Sequence, residues 1–147
     1  MRCVKSLSLG AVLLGLAFAG AVQAGPQVKI TFKNNGAMGA VYDIAGSSAY
    51  SYAEAVPKPL LNIRAGETNS YSVKGGLSAD VTSAVFQYRM GNKVCKFKTS
   101  YVKLPGRSGG VPRWNKSAEP GGGARCDIRI TSTDVRTHDW SVDFIMR

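Results

Sequence analysis

Apolar and polar residues alternate through most of the chain after residue 24. In Val28–Lys33 the apolar side chains fall on every second position, and from Trp140 to Met146 the same spacing places Trp, Val, Phe and Met on one side. This period of two is typical of a strand with one face in a core and one in water. No stretch beyond residue 24 shows a convincing helical period, so the sequence predicts an all-β protein.

Shorter alternating runs and turn signals extend the same pattern. A strand is predicted over Ala40–Ile44, and an edge strand over Ala49–Ala53 would put Tyr50 and Tyr52 on one face. Asn-Asn-Gly at 34–36 and Ala-Gly-Glu at 65–67 are turn signals, because Asn and Gly tolerate a positive φ. About eight short strands over residues 25–147 predict a single-domain antiparallel β-sandwich or a distorted barrel.

One hairpin can be assigned a register and a disulfide. A two-residue turn at Gly91 and Asn92 pairs residues whose numbers sum to 183, so Tyr88 faces Cys95 and the thiol points into the core with the aromatic side chains. Cys126 lies on the apolar face of the run RCDIRI. Both thiols therefore lie on apolar faces, which predicts a buried Cys95–Cys126 bridge.

The first 24 residues have the organisation of a secretory signal peptide. Basic residues at positions 2 and 5 precede an apolar run over Leu7–Ala21, and Val-Gln-Ala provides the small residues that a signal peptidase needs. We predict cleavage between Ala24 and Gly25, and export to the periplasm or the extracellular space. Cys3 would leave with the leader, so one cysteine pair remains in an oxidising compartment.

The chain is strongly basic. It has 19 Lys and Arg against 9 Asp and Glu, a net charge of +10, and removal of Arg2 and Lys5 with the leader leaves 17 against 9, or +8. A balance of this size favours an acidic protein or an anionic envelope or membrane surface as partner, while export disfavours nucleic acid. The alternative is that the charge only keeps a secreted protein soluble.

The segment from Leu104 to Ala124 is rich in glycine and proline and predicts a long loop. It contains Arg107, Arg113, Trp114 and Lys116. An indole flanked by cations is typical of partner-binding and lipid-headgroup sites. The alternative is that Trp114 folds back and closes one end of the sandwich. Loops of this length are usually either functional or disordered.

Two further lysines, Lys96 and Lys98, are predicted to project together from the solvent face of the hairpin. With the loop cations they would form a binding surface if both sets lie on one side of the protein. The alternative is a solvated face that discourages association between strand edges.

Residues for catalysis are sparse. His138 is the single histidine and lies in a polar turn near Asp134. The pair is either a general base with its carboxylate or a turn histidine beside a capping aspartate. Two inward-facing cysteines provide neither a nucleophile nor a zinc site, and the aspartates lack the spacing of a calcium loop. We therefore expect a non-enzymatic protein without metal or cofactor.

Several motifs resemble the aegerolysins in their order along the chain. These are Ile30-x-Phe32-x-Asn34-Asn35, then Ala65-Gly66-Glu67 before Ser70-Tyr71-Ser72-Val73, then Val85-Phe86-Gln87-Tyr88 turning through Gly91-Asn92 into Val94-Cys95. The resemblance covers about half of the chain after the leader and implies a small β-sandwich that recognises membrane lipids. The chain departs from the pattern in its leader, its basic charge and its predicted long loop, and it lacks the tryptophan-rich segment that the resemblance implies after the hairpin.

Two functional hypotheses follow. The first is a non-enzymatic binding protein of the bacterial envelope that uses the basic residues to engage an acidic macromolecule, such as another protein that it inhibits or neutralises. The second is a secreted membrane-binding module, aegerolysin-like, that uses Trp114, Tyr50 and Tyr52 on anionic or sphingolipid-type membranes. The oligomeric state is not indicated by the sequence.

Overall fold

The computed structural model describes residues 23–106 and 109–147. The predicted leader therefore lies outside the described residues except for Gln23 and Ala24, and so does Arg107. The described elements are β1 (Gln27–Asn34), β2 (Ala40–Tyr42), α1 (Ala49–Glu54), β3 (Ala55–Val56), β4 (Asn62–Ile63), β5 (Thr68–Lys74), β6 (Val81–Met90), β7 (Lys93–Leu104), β8 (Val111–Gly121), β9 (Cys126–Thr133) and β10 (Trp140–Met146).

The strands form two five-stranded sheets. The first sheet has the order β3-β5-β1-β10-β9 and the second has the order β4-β2-β6-β7-β8. Among the described strand pairs only β1 and β10 run parallel, with Phe32 opposite Phe144. The predicted all-β sandwich is confirmed, with more strands than the sequence indicated and with this one parallel pair.

Aromatic contacts join the two sheets. The ring of Phe32 in the first sheet stacks on Tyr88 in the second at 3.6 Å between centroids, and Phe97 in the second sheet stacks on Phe144 in the first at 4.7 Å. All four side chains are fully buried. Burial of each side chain of this size contributes roughly 1.5–3 kcal/mol relative to exposure. The alternation seen in the sequence therefore builds the core directly.

The central hairpin has the predicted register. Residues of β6 and β7 pair with numbers that sum to 183, with Tyr88 opposite Cys95 and the turn at Gly91 and Asn92. Gly91 has a φ of 59°, which explains why glycine suits the turn. The predicted disulfide between Cys95 and Cys126 is present and joins β7 of the second sheet to β9 of the first.

The predicted loop over residues 104–124 is wrong. Residues 111–121 form β8, which pairs with β7 along its whole length from Leu104–Val111 to Val94–Gly121. Pro112 and Pro120 are residues that normally disfavour a strand. β8 is an edge strand, where a residue without an N–H can be tolerated. β7 ends at Leu104 and β8 begins at Val111.

The predicted edge strand over Ala49–Ala53 is also wrong, because these residues begin helix α1. Ser48 caps its N-terminus by accepting a hydrogen bond from the Ser51 N–H at 3.3 Å. Tyr50 and Tyr52 are two residues apart, and this spacing gave the false impression of a strand face. In the folded protein α1 packs against β5 and β6.

The segment before α1 covers the free edge of β6. The Ser48 N–H donates to the Val85 carbonyl at 3.0 Å, and the Gln87 N–H donates to Ser47 Oγ at 2.8 Å. Asp43 ends this covering segment on the β2 side, where its N–H donates to the Gln87 carbonyl at 2.8 Å. Backbone N–H and carbonyl groups of β6 therefore form hydrogen bonds with this segment where β2 no longer pairs with the strand.

The carboxylate of Asp43 holds this segment in place. It accepts hydrogen bonds at 2.5 Å from Gln87 Nε2 and from Arg89 Nε. Burial raises the pKa of Asp43, but hydrogen bonds from Arg89, Gln87 and the Gly46 N–H outweigh it, so the pKa lies below the usual 3.8. The ionised carboxylate is thus the form that stabilises the fold.

Removal of the disulfide should destabilise the protein strongly. The bridge joins residues that are 31 positions apart, and in the chain-entropy model closure of such a loop contributes roughly 3–4 kcal/mol. We expect the double variant Cys95→Ala/Cys126→Ala to lose about this much free energy of unfolding in urea titrations under oxidising conditions. The same titration in excess thiol should bring the wild type to the level of the variant. A wild type that reductant leaves unchanged would contradict the expectation.

Asp43→Asn should make the free energy of unfolding less dependent on pH in the acidic range. The folded-state pKa of Asp43 lies below that of the unfolded chain, so its contribution is present above about pH 4 and is lost as the pH falls through the folded-state pKa. Urea titrations from about pH 6 to pH 2 should therefore show a steeper loss in the wild type than in the variant. Parallel curves would exclude this role of the carboxylate.

Candidate functional site on the outer face of the second sheet

Strands β6, β7 and β8 present one continuous outer face. Because side chains alternate across a strand, Lys96, Lys98 and Arg113 all point outward, while their neighbours in sequence point to the core. We call these three residues the basic face. Lys96 and Lys98 project from the same side of the hairpin, as the sequence predicts. The register of β8 brings Arg113 to that side as well.

Two of the three cations are free of ion pairs in the described residues. Lys98 Nζ lies 2.5 Å from Glu119 Oε1, and this hydrogen bond holds the pKa of Glu119 below its usual range. Lys96 and Arg113 have no acidic partner within ion-pair distance anywhere in residues 23–106 and 109–147. The pair at Lys98 is exposed and contributes little stability. The outer face therefore keeps a net positive charge.

An apolar patch adjoins Arg113 on the same face. Val102 lies opposite Arg113 on β8 and opposite Val81 on β6, and Leu104 lies opposite Val111. We call Val81, Val102, Leu104 and Val111 the apolar patch. Three of its members are exposed to between 43% and 49%. Exposed aliphatic side chains next to unpaired cations are typical of surfaces that bind another macromolecule.

A shallow depression lies between the basic face and the middle of β6. It has a volume of about 320 Å³, and its lining combines polar residues such as Ser83, Ser100 and Asn115 with the aliphatic surface of Val85 and Lys98. These residues come from three neighbouring strands and provide donors and acceptors over a nearly flat surface. The open depression suits a side chain of a partner better than an enclosed small molecule.

Trp114 does not lie on this outer face. Its side chain points inward from β8, packs against the core and lies 5.7 Å from the ring of Tyr101. The indole Nε1–H donates to the His138 carbonyl at 3.1 Å. Trp114 therefore packs as in the alternative in which it folds back against the sandwich, and its role in binding a partner or a membrane stays a prediction.

Lys116 points to the side of β8 opposite the basic face. It lies on the inner side of β8, opposite the buried Thr99, and its Nζ donates to the Ile128 carbonyl of β9 at 2.8 Å. β8 and β9 are edge strands of different sheets. An inward-pointing lysine between two edges blocks further strand pairing, so Lys116 has a structural role at this side of the sandwich.

Tyr50 and Tyr52 are held by contacts within the fold. The Tyr52 ring stacks on Tyr42 at 5.6 Å between centroids, and Tyr50 Oη accepts a hydrogen bond from the Gly76 N–H at 2.7 Å. Both lie on α1 beside β5 and β6, whereas Trp114 lies on β8 with β7 between. The structure does not bring the three predicted membrane-binding side chains together.

His138 and Asp134 do not form an acid–base pair. The Asp134 carboxylate accepts hydrogen bonds from the N–H groups of Thr137 and Arg136, which lower its pKa and close the turn before β10. The His138 ring stacks on Tyr101 at 5.1 Å. The arrangement is that of a turn with a capping aspartate, as the second alternative from the sequence describes.

A cavity at one end of the sandwich was not predicted from the sequence. It has a volume of about 640 Å³ and is lined by Gly25, Lys74, Asp80, Lys103, Arg136 and His138, among others. Its three cations come from β5, β7 and the turn before β10. They are distant in the sequence, so only the folded chain shows that they line one cavity.

The described residues contain no group of three or more His, Cys, Asp or Glu side chains that could hold a metal ion. No helix among them is long and apolar enough to cross a bilayer.

Comparison with known proteins found no matching family model and no curated protein with significant similarity. The resemblance to aegerolysins therefore stays a prediction.

Replacement of Trp114 should affect stability. Trp114→Ala removes a half-buried ring and a hydrogen bond to the His138 carbonyl, and we expect a loss on the order of 2 kcal/mol in free energy of unfolding. Trp114→Phe keeps most of the packing and should lose about 1 kcal/mol. Urea titration followed by circular dichroism would measure both. A Trp114→Ala variant as stable as the wild type would contradict the packing role.

Proposed function

We propose that this protein is an exported, non-enzymatic binding protein of the bacterial envelope that engages an acidic partner protein through the basic face and the apolar patch. The observation that carries the proposal is the position of unpaired Lys96 and Arg113 on the same outer face as Val81, Leu104 and Val111. An apolar area beside charged residues is the arrangement of many protein interfaces.

Complementary charge supports the acidic nature of the partner. The chain carries +10, or +8 without the predicted leader, and neither Lys96 nor Arg113 forms an ion pair with a carboxylate among the described residues, although Glu119 lies opposite Lys96 on β8. An acidic surface would gain favourable encounter rates with such a face, and the apolar patch would provide contacts that exclude water. Neutralisation of that partner is the activity we propose for the complex.

The proposal can be tested with a matched pair of charge-reversed proteins. Lys96→Glu/Arg113→Glu changes the basic face, and Lys29→Glu/Arg64→Glu makes the same charge change elsewhere: Lys29 is on the outer face of the first sheet and Arg64 is in the turn between β4 and β5. We expect the first variant to retain on the order of ten-fold less partner from an envelope fraction than the wild type, and the control to retain nearly as much.

Equal recovery of the partner by wild type and both variants would place the function elsewhere on the protein. Equal loss in both variants would indicate binding by overall charge alone, which also contradicts the proposal. Circular dichroism of each variant shows whether the fold is intact. The captured partner should also dissociate as the salt concentration rises, because part of the attraction is between exposed charges.

A membrane-binding module is the second candidate. It is favoured by the apolar patch next to Arg113, since aliphatic groups beside cations also suit anionic lipid surfaces. The aromatic residues that would strengthen it, Trp114, Tyr50 and Tyr52, make contacts inside the fold. Sedimentation with phosphatidylglycerol vesicles and with neutral vesicles, at low and high salt, separates the candidates. Binding that requires the anionic lipid and Arg113 would favour the membrane module.

A further inference from the structure

The cavity at one end of the sandwich brings together three cations that form no ion pair. Lys74 of β5, Lys103 of β7 and Arg136 of the turn before β10 line it. None of the three lies within ion-pair distance of a carboxylate in residues 23–106 and 109–147. Residues 1–22, 107 and 108 contain no Asp or Glu. The three cations are therefore available to an anion from outside the chain.

Two carboxylates line the same cavity and cancel this charge only in part. Asp139 accepts a hydrogen bond from the Gln27 N–H at 2.6 Å, which ties its carboxylate to the start of β1. Asp80 precedes β6, and its backbone carbonyl accepts a hydrogen bond from the Lys103 N–H at 2.8 Å. Because three cations face two carboxylates, the cavity keeps a net positive charge.

The fold directs the Lys103 side chain to this end of the sandwich. Lys103 lies on the same side of β7 as the buried Thr99 and Tyr101, so it points away from the basic face. Its stem packs closely against Gly110, where a Cβ atom would lie 2.9 Å from Lys103 Cγ and Cε. The residue is half-buried. A lysine held in this way loses less conformational freedom on binding than a free surface lysine.

The turn before β10 is fixed as well. The Asp134 carboxylate accepts hydrogen bonds from the N–H groups of Arg136 and Thr137 at 2.7 and 3.0 Å. His138 has a φ of 65°, which is uncommon for a residue other than glycine, and its carbonyl accepts the indole N–H of Trp114 at 3.1 Å. Backbone conformations of this kind cluster at functional sites, where the surrounding structure holds them. The turn therefore presents its side chains to the cavity from a preorganised backbone.

These groups match the chemistry of a phosphate group. Lysine and arginine donate charge-assisted hydrogen bonds to phosphate oxygens, and a guanidinium can bind two oxygens at once. The three cations come from three separate elements, which suits a tetrahedral group with oxygens in several directions better than a planar carboxylate. The volume of about 640 Å³ lies within the range of roughly 300–1,000 Å³ for small-molecule sites, so an organic part has room beside the phosphate.

We propose that the exported protein binds a phosphate group in this cavity through Lys74, Lys103 and Arg136, with a small phosphate ester or a lipid headgroup as its source. Gln23 and Ala24 also line the cavity and would leave with the predicted leader, whereas the three cations stay with the exported protein. The site shares no residue with the basic face or the apolar patch. It therefore goes beyond the function proposed above.

Calorimetric titration of the exported protein with glycerol 3-phosphate, and with glycerol as the uncharged control, tests the proposal at constant ionic strength. Lys103→Gln/Arg136→Gln removes two cations of the cavity, and Lys29→Gln/Arg64→Gln removes the same residue types outside it. We expect the ester to bind to the wild type and to the matched control with similar affinity. It should bind to the cavity variant on the order of ten-fold more weakly, because charged hydrogen bonds are lost.

Sedimentation with phosphatidylglycerol vesicles distinguishes the two sources of the phosphate group. A free ester as the source predicts that glycerol 3-phosphate binds and that the vesicles do not retain the protein through this cavity. A lipid headgroup predicts vesicle binding that Lys103→Gln/Arg136→Gln weakens and that glycerol 3-phosphate competes for. Vesicle binding through the apolar patch would instead depend on Arg113.

His138 provides a measurement at the site itself. It is the single histidine of the sequence and it lines the cavity. The ring signals of His138 in NMR spectra of untagged protein should shift to saturation as glycerol 3-phosphate is added to the wild type or to the matched control. The same addition to Lys103→Gln/Arg136→Gln should leave them nearly unchanged at equal concentration.

Equal affinity of the ester for the wild type and the cavity variant would overturn the proposal. So would an equal loss in both variants, which indicates binding by overall charge alone, or the absence of saturable binding to the ester and to the vesicles. Circular dichroism shows whether each variant is folded, and Lys74→Gln, at an exposed position, provides a second cavity variant. No partner protein takes part in these measurements, so the charge-reversed proteins still test the proposed function separately.

Discussion

The disulfide between Cys95 and Cys126 is the constraint on which the rest of the sandwich depends. It joins β7, the central strand of the outer face, to β9, the edge strand of the opposite sheet. Without a covalent link, two sheets of a small domain are held only by the packing of their inner faces, which gives modest stability at this size. With it, the side of the sandwich that carries β8 is tied to the core, and the outward positions of β7 and β8 are fixed.

On the neighbouring strand β8, the Trp114 side chain also holds the two sheets together. Its ring packs inward beside Tyr101, and its indole N–H reaches the turn before β10. Because adjacent residues of a strand point to opposite faces, the burial of Trp114 directs Arg113 outward. Lys116 acts in the same way two residues further on, where its bond to the Ile128 carbonyl leaves Asn115 and Ser117 on the outer face. Packing inside the sandwich thus arranges the surface outside it.

The sequence predicted those parts in which local chemistry determines structure. The hairpin register followed from the Gly91–Asn92 turn, because a two-residue turn leaves one pairing for every position that follows. The disulfide followed from two cysteines on apolar strand faces. The first and last strands were predicted from alternation alone. Their parallel pairing was not predicted, because the local sequence of a strand does not specify which distant strand it pairs with.

The two errors in secondary structure arise where contacts with other elements override the local sequence signal. Gly and Pro in residues 104–124 are read as loop signals, although an edge strand tolerates proline and the long partner strand β7 supplies the pairing. In α1 the short helix is held by its Ser48 cap and by contacts with β5 and β6 rather than by its own period. Had the run Arg113-Trp114-Asn115-Lys116 been treated as a strand, alternation would have separated its members into two faces. Arg113 would then have been predicted on one face and Trp114 on the other, because successive side chains of a strand point to opposite faces.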